Sequence, residues 1–342
     1  MMLNILSKFK TKRQPIPPAQ LTDAQLAELP EKPKFILIET TSRCNLRCIQ
    51  CASLNPGYRK ADLPIELFNK IIPALQKYRP AVALSGHGET LLHPQFFEML
   101  EKVTELGCPV CFQTNGTLLT QENIDRIVKA GVTSITISMD GATPETYESI
   151  RRGARYERVL KNITNLNESK KRADTGCPSL AIEFVAMRRN IHELPDLVKK
   201  AAELGAVSLI IAELVEYDLT RGESLAHDEL LARWIEKAEA EAQKTGIILQ
   251  LPPHVPGRKN QENSCAPKDN LPPTKCRDPW ELTFIKLTGK VSPCCSARRF
   301  SCGDLNEQNL EDIWHGENYR ALRRAMLAGS PPEMCKKCHL YE

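Results

Sequence analysis

The sequence predicts an α/β fold: a partial, TIM-like (β/α)6 barrel followed by a small C-terminal extension. Three observations predict it. Six apolar runs alternate with amphipathic stretches through residues 34–250, the pattern of βα units laid on a parallel sheet. Near residue 250 the texture changes to Pro-, Lys- and Cys-rich segments with few periodic runs. The length of 342 residues leaves room for one barrel-sized domain of about 200–250 residues plus an appendage.

In chain order, residues 1–33 form a lead segment with Pro15, Pro17 and Pro18 and a short helix expected over 23–29. Strands are expected over 34–39, 81–85, 110–113, 134–139, 180–186 and 208–213, each rich in Val, Ile, Leu or Phe. Helices are expected over 64–77, 95–105, 121–130, 143–150 with 157–170, 193–204 and 227–244. In the first of these, Leu67, Ile71 and Leu75 recur at helical spacing, which gives it one face to lay on the sheet. Six such repeats make an open barrel whose working face lies at the C-terminal strand ends, where the βα loops gather. Residues 251–342 form a second unit with one amphipathic helix over 310–327. It is too small and loop-rich to rely on an apolar core alone, so a bound metal is expected to help hold it together.

Composition excludes several classes. The apolar fraction of 42% and charged fraction of 26% are ordinary for a globular protein. The net charge of +4 is spread along the chain apart from the run Lys8 to Arg13, so no nucleic-acid partner is expected. No stretch approaches the roughly 18 apolar residues of a membrane helix, and residues 1–6 are too short for a signal-peptide core. A cytoplasmic protein with a frayed N-terminus is expected.

Thirteen cysteines are the compositional outlier, and ten of them fall in two groups, three at 44–51 and seven between Cys265 and Cys338. A reducing cytosol disfavours disulfides and leaves metal ligation as the leading use. Immediately after the first strand comes Glu39-Thr40-Thr41-Ser42-Arg43-Cys44-Asn45-Leu46-Arg47-Cys48-Ile49-Gln50-Cys51. Its three thiolates can hold three irons of a [4Fe–4S] cube and leave the fourth open, whereas an electron-transfer cluster normally has four cysteines. A zinc site would need a fourth ligand, and Asn45 through Lys60 supply none beyond the motif's own cysteines.

In this loop the sequence resembles the radical SAM superfamily, whose C-x3-C-x2-C loop follows the first strand of a partial (β/α)6 barrel. Ser85-Gly86-His87-Gly88-Glu89-Thr90 is similar to the family's "GGE" segment, and the resemblance implies that it receives the methionine amino group of S-adenosylmethionine (SAM). Glycine suits a strand end that a ligand approaches closely. Gln113-Thr114-Asn115-Gly116-Thr117 and Ser138-Met139-Asp140-Gly141 match the segments after the third and fourth strands. The resemblance makes Thr114, Asn115, Ser138 and Asp140 contacts to the ribose and carboxylate, and Arg151 or Arg152 the partner of the carboxylate. The chain departs from the family pattern at Gln50, where an aromatic residue usually stands, and at His87, where many relatives carry glycine.

Cys276, Gly289, Cys294, Gly303-Asp304-Leu305, Leu310-Glu311-Asp312-Ile313-Trp314 and Cys335-Lys336-Lys337-Cys338 follow in an order that resembles the SPASM/twitch extension. The resemblance implies that Cys276, Cys294, Cys335 and Cys338 fully ligate an auxiliary [4Fe–4S] cluster. The chain stops at Glu342, short of the further cysteines of a full pattern, so one auxiliary cluster is expected. Cys265, Cys295 and Cys302 are left over; each could replace a ligand, be a buried small residue or, Cys302 above all, return a hydrogen atom to a substrate. A zinc ribbon is the alternative for this region, and Cys108 and Cys111 are expected to be inert core residues.

The resemblance implies that a reductase such as flavodoxin or ferredoxin feeds an electron to the first cluster. SAM is then cleaved to a 5′-deoxyadenosyl radical, which takes a hydrogen atom from a peptide or small-molecule substrate. With the auxiliary cluster the outcome is oxidation, with peptide epimerisation or cross-linking as alternatives. A non-catalytic iron–sulfur or zinc module is the competing reading from another class. No leader-peptide-binding domain is expected before residue 34, which weighs slightly against a peptide. Glu213, Glu216 and Tyr217, after the sixth strand, are candidates to shape the substrate pocket.

Overall fold

The computed structural model describes residues 22, 24, 25, 31–55, 58–252, 254–257, 276–297, 300–336 and 338. The expectations for the basic N-terminal run, for most of the helix over 23–29 and for Cys265 lie outside them.

Ten strands form one sheet in the order β10-β9-β8-β1-β2-β3-β4-β5-β6-β7. The six predicted strands are β1 (Phe35–Ile38), β2 (Ala81–Leu84), β3 (Val110–Thr114), β4 (Ser134–Ser138), β5 (Ser179–Ala186) and β6 (Ser208–Glu213). They are mutually parallel and run in chain order, as right-handed βα crossovers require. Three-residue β7 (Ile248–Gln250) continues the parallel set beyond β6.

The sheet is buried on both faces, and the faces differ. Val82, Leu84, Val110, Phe112, Ile135, Ile137, Leu180 and Ile182 share a core with the helices. Strand alternation sends their neighbours to the concave side, where Phe35, Ala81, Ala83 and Cys111 make a separate small cluster. Toward the C-terminal strand ends that concave side becomes polar, with the buried Ser85, Ser138 and Glu183 beside Gln113. Thr120, Thr143 and Asp228 cap three of the helices, each accepting a backbone N–H in the first turn.

Two predicted helices are each split. Residues 64–77 give Ile65–Asn69 and Ile72–Tyr78, because Pro73 has no N–H to offer and fits only a first turn. Residues 310–327 give Leu310–Trp314 and Glu317–Leu327 on either side of Gly316.

The extension departs most from expectation. β8 (Leu282–Ile285) pairs in parallel with β1, so the C-terminal unit widens the barrel sheet. A hairpin through Gly289, at φ 85°, leads to antiparallel β9 (Lys290–Ser292), and β10 (Gly303–Asp304) follows at the edge. Trp280, Trp314, Tyr319, Leu322 and Met326 are buried in a core continuous with that of the barrel. The unit therefore packs on a core shared with the barrel and not on a separate one of its own. Among the described residues no helix is long and apolar enough to cross a membrane.

Candidate cluster and cofactor site

Backbone hydrogen bonds from three directions fix the 44–51 loop. Gly88 N donates to Thr41 O at 3.1 Å and Glu89 N to Arg43 O at 2.8 Å. On the opposite side Arg47 N donates to Arg152 O at 2.9 Å and Ile49 N to Ile150 O at 3.0 Å. Ser42 N reaches Ala61 O at 2.9 Å, while Arg43 pairs with Asp62 at 2.7 Å. A Cβ on Gly88 would stand 2.4 Å from Arg43 O and 2.7 Å from Thr41 O. Gly88 is therefore required by the approach of the cysteine loop itself, a different reason from the ligand approach the sequence suggested. Gly86 likewise admits no Cβ, which would meet Glu39 Cγ at 2.6 Å.

The three thiols lie close enough that Cys51 acts electrostatically on Cys44, and both act on Cys48. Burial raises Cys44, and it pushes Cys48 up to about 12 against the pull of Arg151. Such thiols keep their protons until a metal displaces them. Leu46 N and Ser53 N point at the sulfurs of Cys44 and Cys51, at 3.4 and 3.5 Å. Among the described residues no group of three or more His, Cys, Asp and Glu side chains converges closely enough to hold a single metal ion. The fit to a cluster rests on three cysteines of one short loop, close enough to act on one another electrostatically and held by the loop's main chain.

The residues expected to contact SAM do gather here, but most of them bind one another. Glu89 is buried and accepts from Thr114 Oγ1 and Asn115 N, both at 2.7 Å. Asn115 Nδ2 donates to Asn45 Oδ1 at 3.0 Å and points at Cys44 Sγ at 3.9 Å. Asp140 is 0% exposed; Val185 N donates to one carboxylate oxygen at 2.8 Å and Gln50 Nε2 to the other. Gln50, the departure in the cysteine motif, thus ties the loop to the end of β4. Arg151 is buried and paired with Asp140 at 2.8 Å, whereas Arg152 is exposed. His87 is half-buried, with Nδ1 2.8 Å from Glu39 Oε1, and is no free loop residue.

Sequence reasoning missed Glu39, Gln113 and Glu183. Gln113 Nε2 donates to Ser138 Oγ at 3.1 Å and to Glu183. Burial pushes Glu183 up to about 7, partly offset by Arg151. A signal existed: Glu183 is a lone charge in the apolar run Leu180-Ala181-Ile182-Glu183-Phe184-Val185, and a buried charge in a strand needs partners. After β6, Glu213 accepts from His254 N at 3.0 Å and lies 3.0 Å from its Nδ1. Glu216 receives Ser224 N at 2.8 Å, and Tyr217 opens a short 3-10 turn.

In the extension, Cys294 and Cys338 act electrostatically on Cys276, and Cys338 acts on Cys335. Burial raises Cys276, Cys294 and Cys335 and pushes the adjacent Asp278 up to about 6. Cys295 is exposed. Cys302 is 3% exposed in the shared core, where burial pushes its thiol up to about 12. Cys108 and Cys111 are buried and pushed up to about 11 and about 12, which makes both inert.

The family model described as Radical SAM superfamily matches residues 38–201, and that of the SPASM iron–sulfur cluster-binding domain matches 276–339. An AdoMet-dependent heme synthase of Methanosarcina barkeri is 30% identical over 326 residues, covering 91% of this chain and 88% of its own. The chain belongs to the radical SAM superfamily. A tungsten-containing aldehyde ferredoxin oxidoreductase cofactor-modifying protein of Pyrococcus furiosus is 26% identical over 312 residues, covering 85% of this chain and 83% of its own. Streptococcus suis SuiB bound to precursor peptide SuiA shares the fold, with a TM-score of 0.68 at 17% identity over 92% of this chain and 71% of that one. As a radical SAM enzyme with a SPASM domain, the protein binds a [4Fe–4S] cluster and SAM, and its C-terminal domain binds auxiliary iron–sulfur. The zinc-ribbon and non-catalytic alternatives fall away.

Proposed function

We propose that Cys44, Cys48 and Cys51 hold the SAM-binding [4Fe–4S] cluster, and that Cys276, Cys294, Cys335 and Cys338 hold one auxiliary [4Fe–4S] cluster. The observation that carries the reading is the set of three neighbouring cysteines on one loop whose main chain is hydrogen-bonded to Gly88, Glu89, Ile150 and Arg152. We read residues 34–250 as the cleavage unit and 251–342 as the auxiliary unit. Bound together, cluster and SAM supply a one-electron cleavage that yields a 5′-deoxyadenosyl radical, the chemistry belonging to the cofactor.

The chain's own residues orient and enclose. Glu89, Thr114 and Asn115 brace the end of β3 against the cysteine loop, and Ser138 is fixed by Gln113. Gly86, His87 and Gly88 line the β2 end, where a methionine amino group would be received, and Arg152 is free to meet its carboxylate. The reaction we infer is oxidation of a peptide or small molecule, with a flavodoxin- or ferredoxin-type reductase as electron donor. The burial of Cys302 supports oxidation over epimerisation, because a hydrogen donor must reach the substrate.

The test is anaerobic reconstitution followed by dithionite and SAM. The expected product is 5′-deoxyadenosine; its absence from iron-replete protein would refute the reading.

A further inference from the structure

One buried cation has no part in the roles above. The bonds Arg47 N to Arg152 O and Ile49 N to Ile150 O bracket Cys48 and set it opposite Arg151. Arg151 is 7% exposed, and its Nε lies 2.8 Å from Asp140 Oδ2 without the alignment of a hydrogen bond. Charge, and not a directed bond at Nε, therefore holds this guanidinium. Asp140, the Cys48 sulfur, Tyr147 and Glu183 are the groups that act on it. Arg151 and Cys48 are close enough to act on each other electrostatically, across the two backbone bonds that pair their segments.

An exposed ion pair would be screened by salt, but this group sits among buried strand ends where a charge is screened much less. A cluster gains negative charge on reduction, and its potential follows net charge, hydrogen bonds to the sulfurs and solvent exposure.

We propose that Arg151 is a positioning residue for the first cluster and not the partner of the SAM carboxylate: its positive charge favours the reduced state of a cluster held through Cys48, and Asp140 and Glu183 temper it. The inference rests on the assignment of Cys44, Cys48 and Cys51 to that cluster.

The test is an EPR-monitored reductive titration of the full-length holoenzyme at pH 8, following the signal that responds to SAM. Arg151→Gln should lower the reduced-to-oxidised ratio at a fixed potential about tenfold, which is about 59 mV for a one-electron couple. Arg151→Lys keeps the charge and should restore most of the ratio. Glu183→Gln removes an opposing charge and should shift the ratio the other way, by less. SAM should still perturb the signal in all three. Unchanged ratios in Arg151→Gln and Glu183→Gln, with the SAM response lost in Arg151→Gln, would overturn the proposal and return Arg151 to the carboxylate. If Arg151→Gln fails to hold the cluster, Glu183→Gln decides alone: a raised ratio supports the proposal and an unchanged one overturns it. A wild-type enzyme with no SAM-responsive signal would overturn the cluster assignment itself, and the inference with it.

Discussion

Cys44, Cys48 and Cys51 share one loop whose main chain is hydrogen-bonded to the β2 end and to residues 150–152. Cys276, Cys294, Cys335 and Cys338 come instead from just before a short helix, just after a hairpin strand, the last described helix and the residues beyond it. The first set is local in sequence and preorganised by backbone bonds, while the second is brought together by β8 docking on β1 and by the shared core around Trp280 and Trp314. One site is therefore a property of a loop and the other of a tertiary fold. Both bury a carboxylate nearby, Glu183 and Asp278, each raised by burial.

The largest test of this difference is to empty the first site. Triple replacement of Cys44, Cys48 and Cys51 by alanine should lower iron from about eight to about four per chain, as two four-iron clusters imply, and abolish 5′-deoxyadenosine. Loss of all the iron would show that the two sites fold together. The converse pair Cys276→Ala with Cys338→Ala should also remove about four irons yet leave SAM cleavage in place; loss of cleavage would break the claim of independence.

Smaller effects sharpen it. Glu183 has its folded value raised from 4.5 to about 7, so its contribution to stability is complete below 4.5 and is lost as pH rises through about 7. Denaturant titrations between pH 4.5 and 8 should therefore show wild type losing about 3 kcal/mol relative to Glu183→Gln; parallel curves would contradict the burial argument. Gly88→Ala forces a Cβ against Arg43 O and Thr41 O and should cost about 1–3 kcal/mol. Iron should be depleted at the first site alone, read as loss of the SAM-responsive EPR signal with the other retained.

Much of the barrel was legible, because apolar runs such as Ser134-Ile135-Thr136-Ile137 and helical spacing such as Leu67, Ile71 and Leu75 are local signals. β7 and β10 were missed because three and two residues carry no periodicity. β8 and β9 had a signal, Leu282-Thr283-Phe284-Ile285 and a turn at Gly289, obscured by the cysteines around it. The cysteine motif marked the loop that we propose holds the first cluster. What sequence could not give was how Gln50, Asp140 and Arg151 bind one another across the β4 end, since their pairing depends on three segments meeting. The same holds for Glu39 with His87, which joins β1 to β2.

The most direct measurement is EPR of the dithionite-reduced Cys276→Ala/Cys338→Ala protein, in which only the first cluster remains. Adding SAM should reshape its signal, because the proposed three-cysteine ligation leaves one iron open to the ligand. A reduced cluster whose spectrum is indifferent to SAM would contradict the account at its centre.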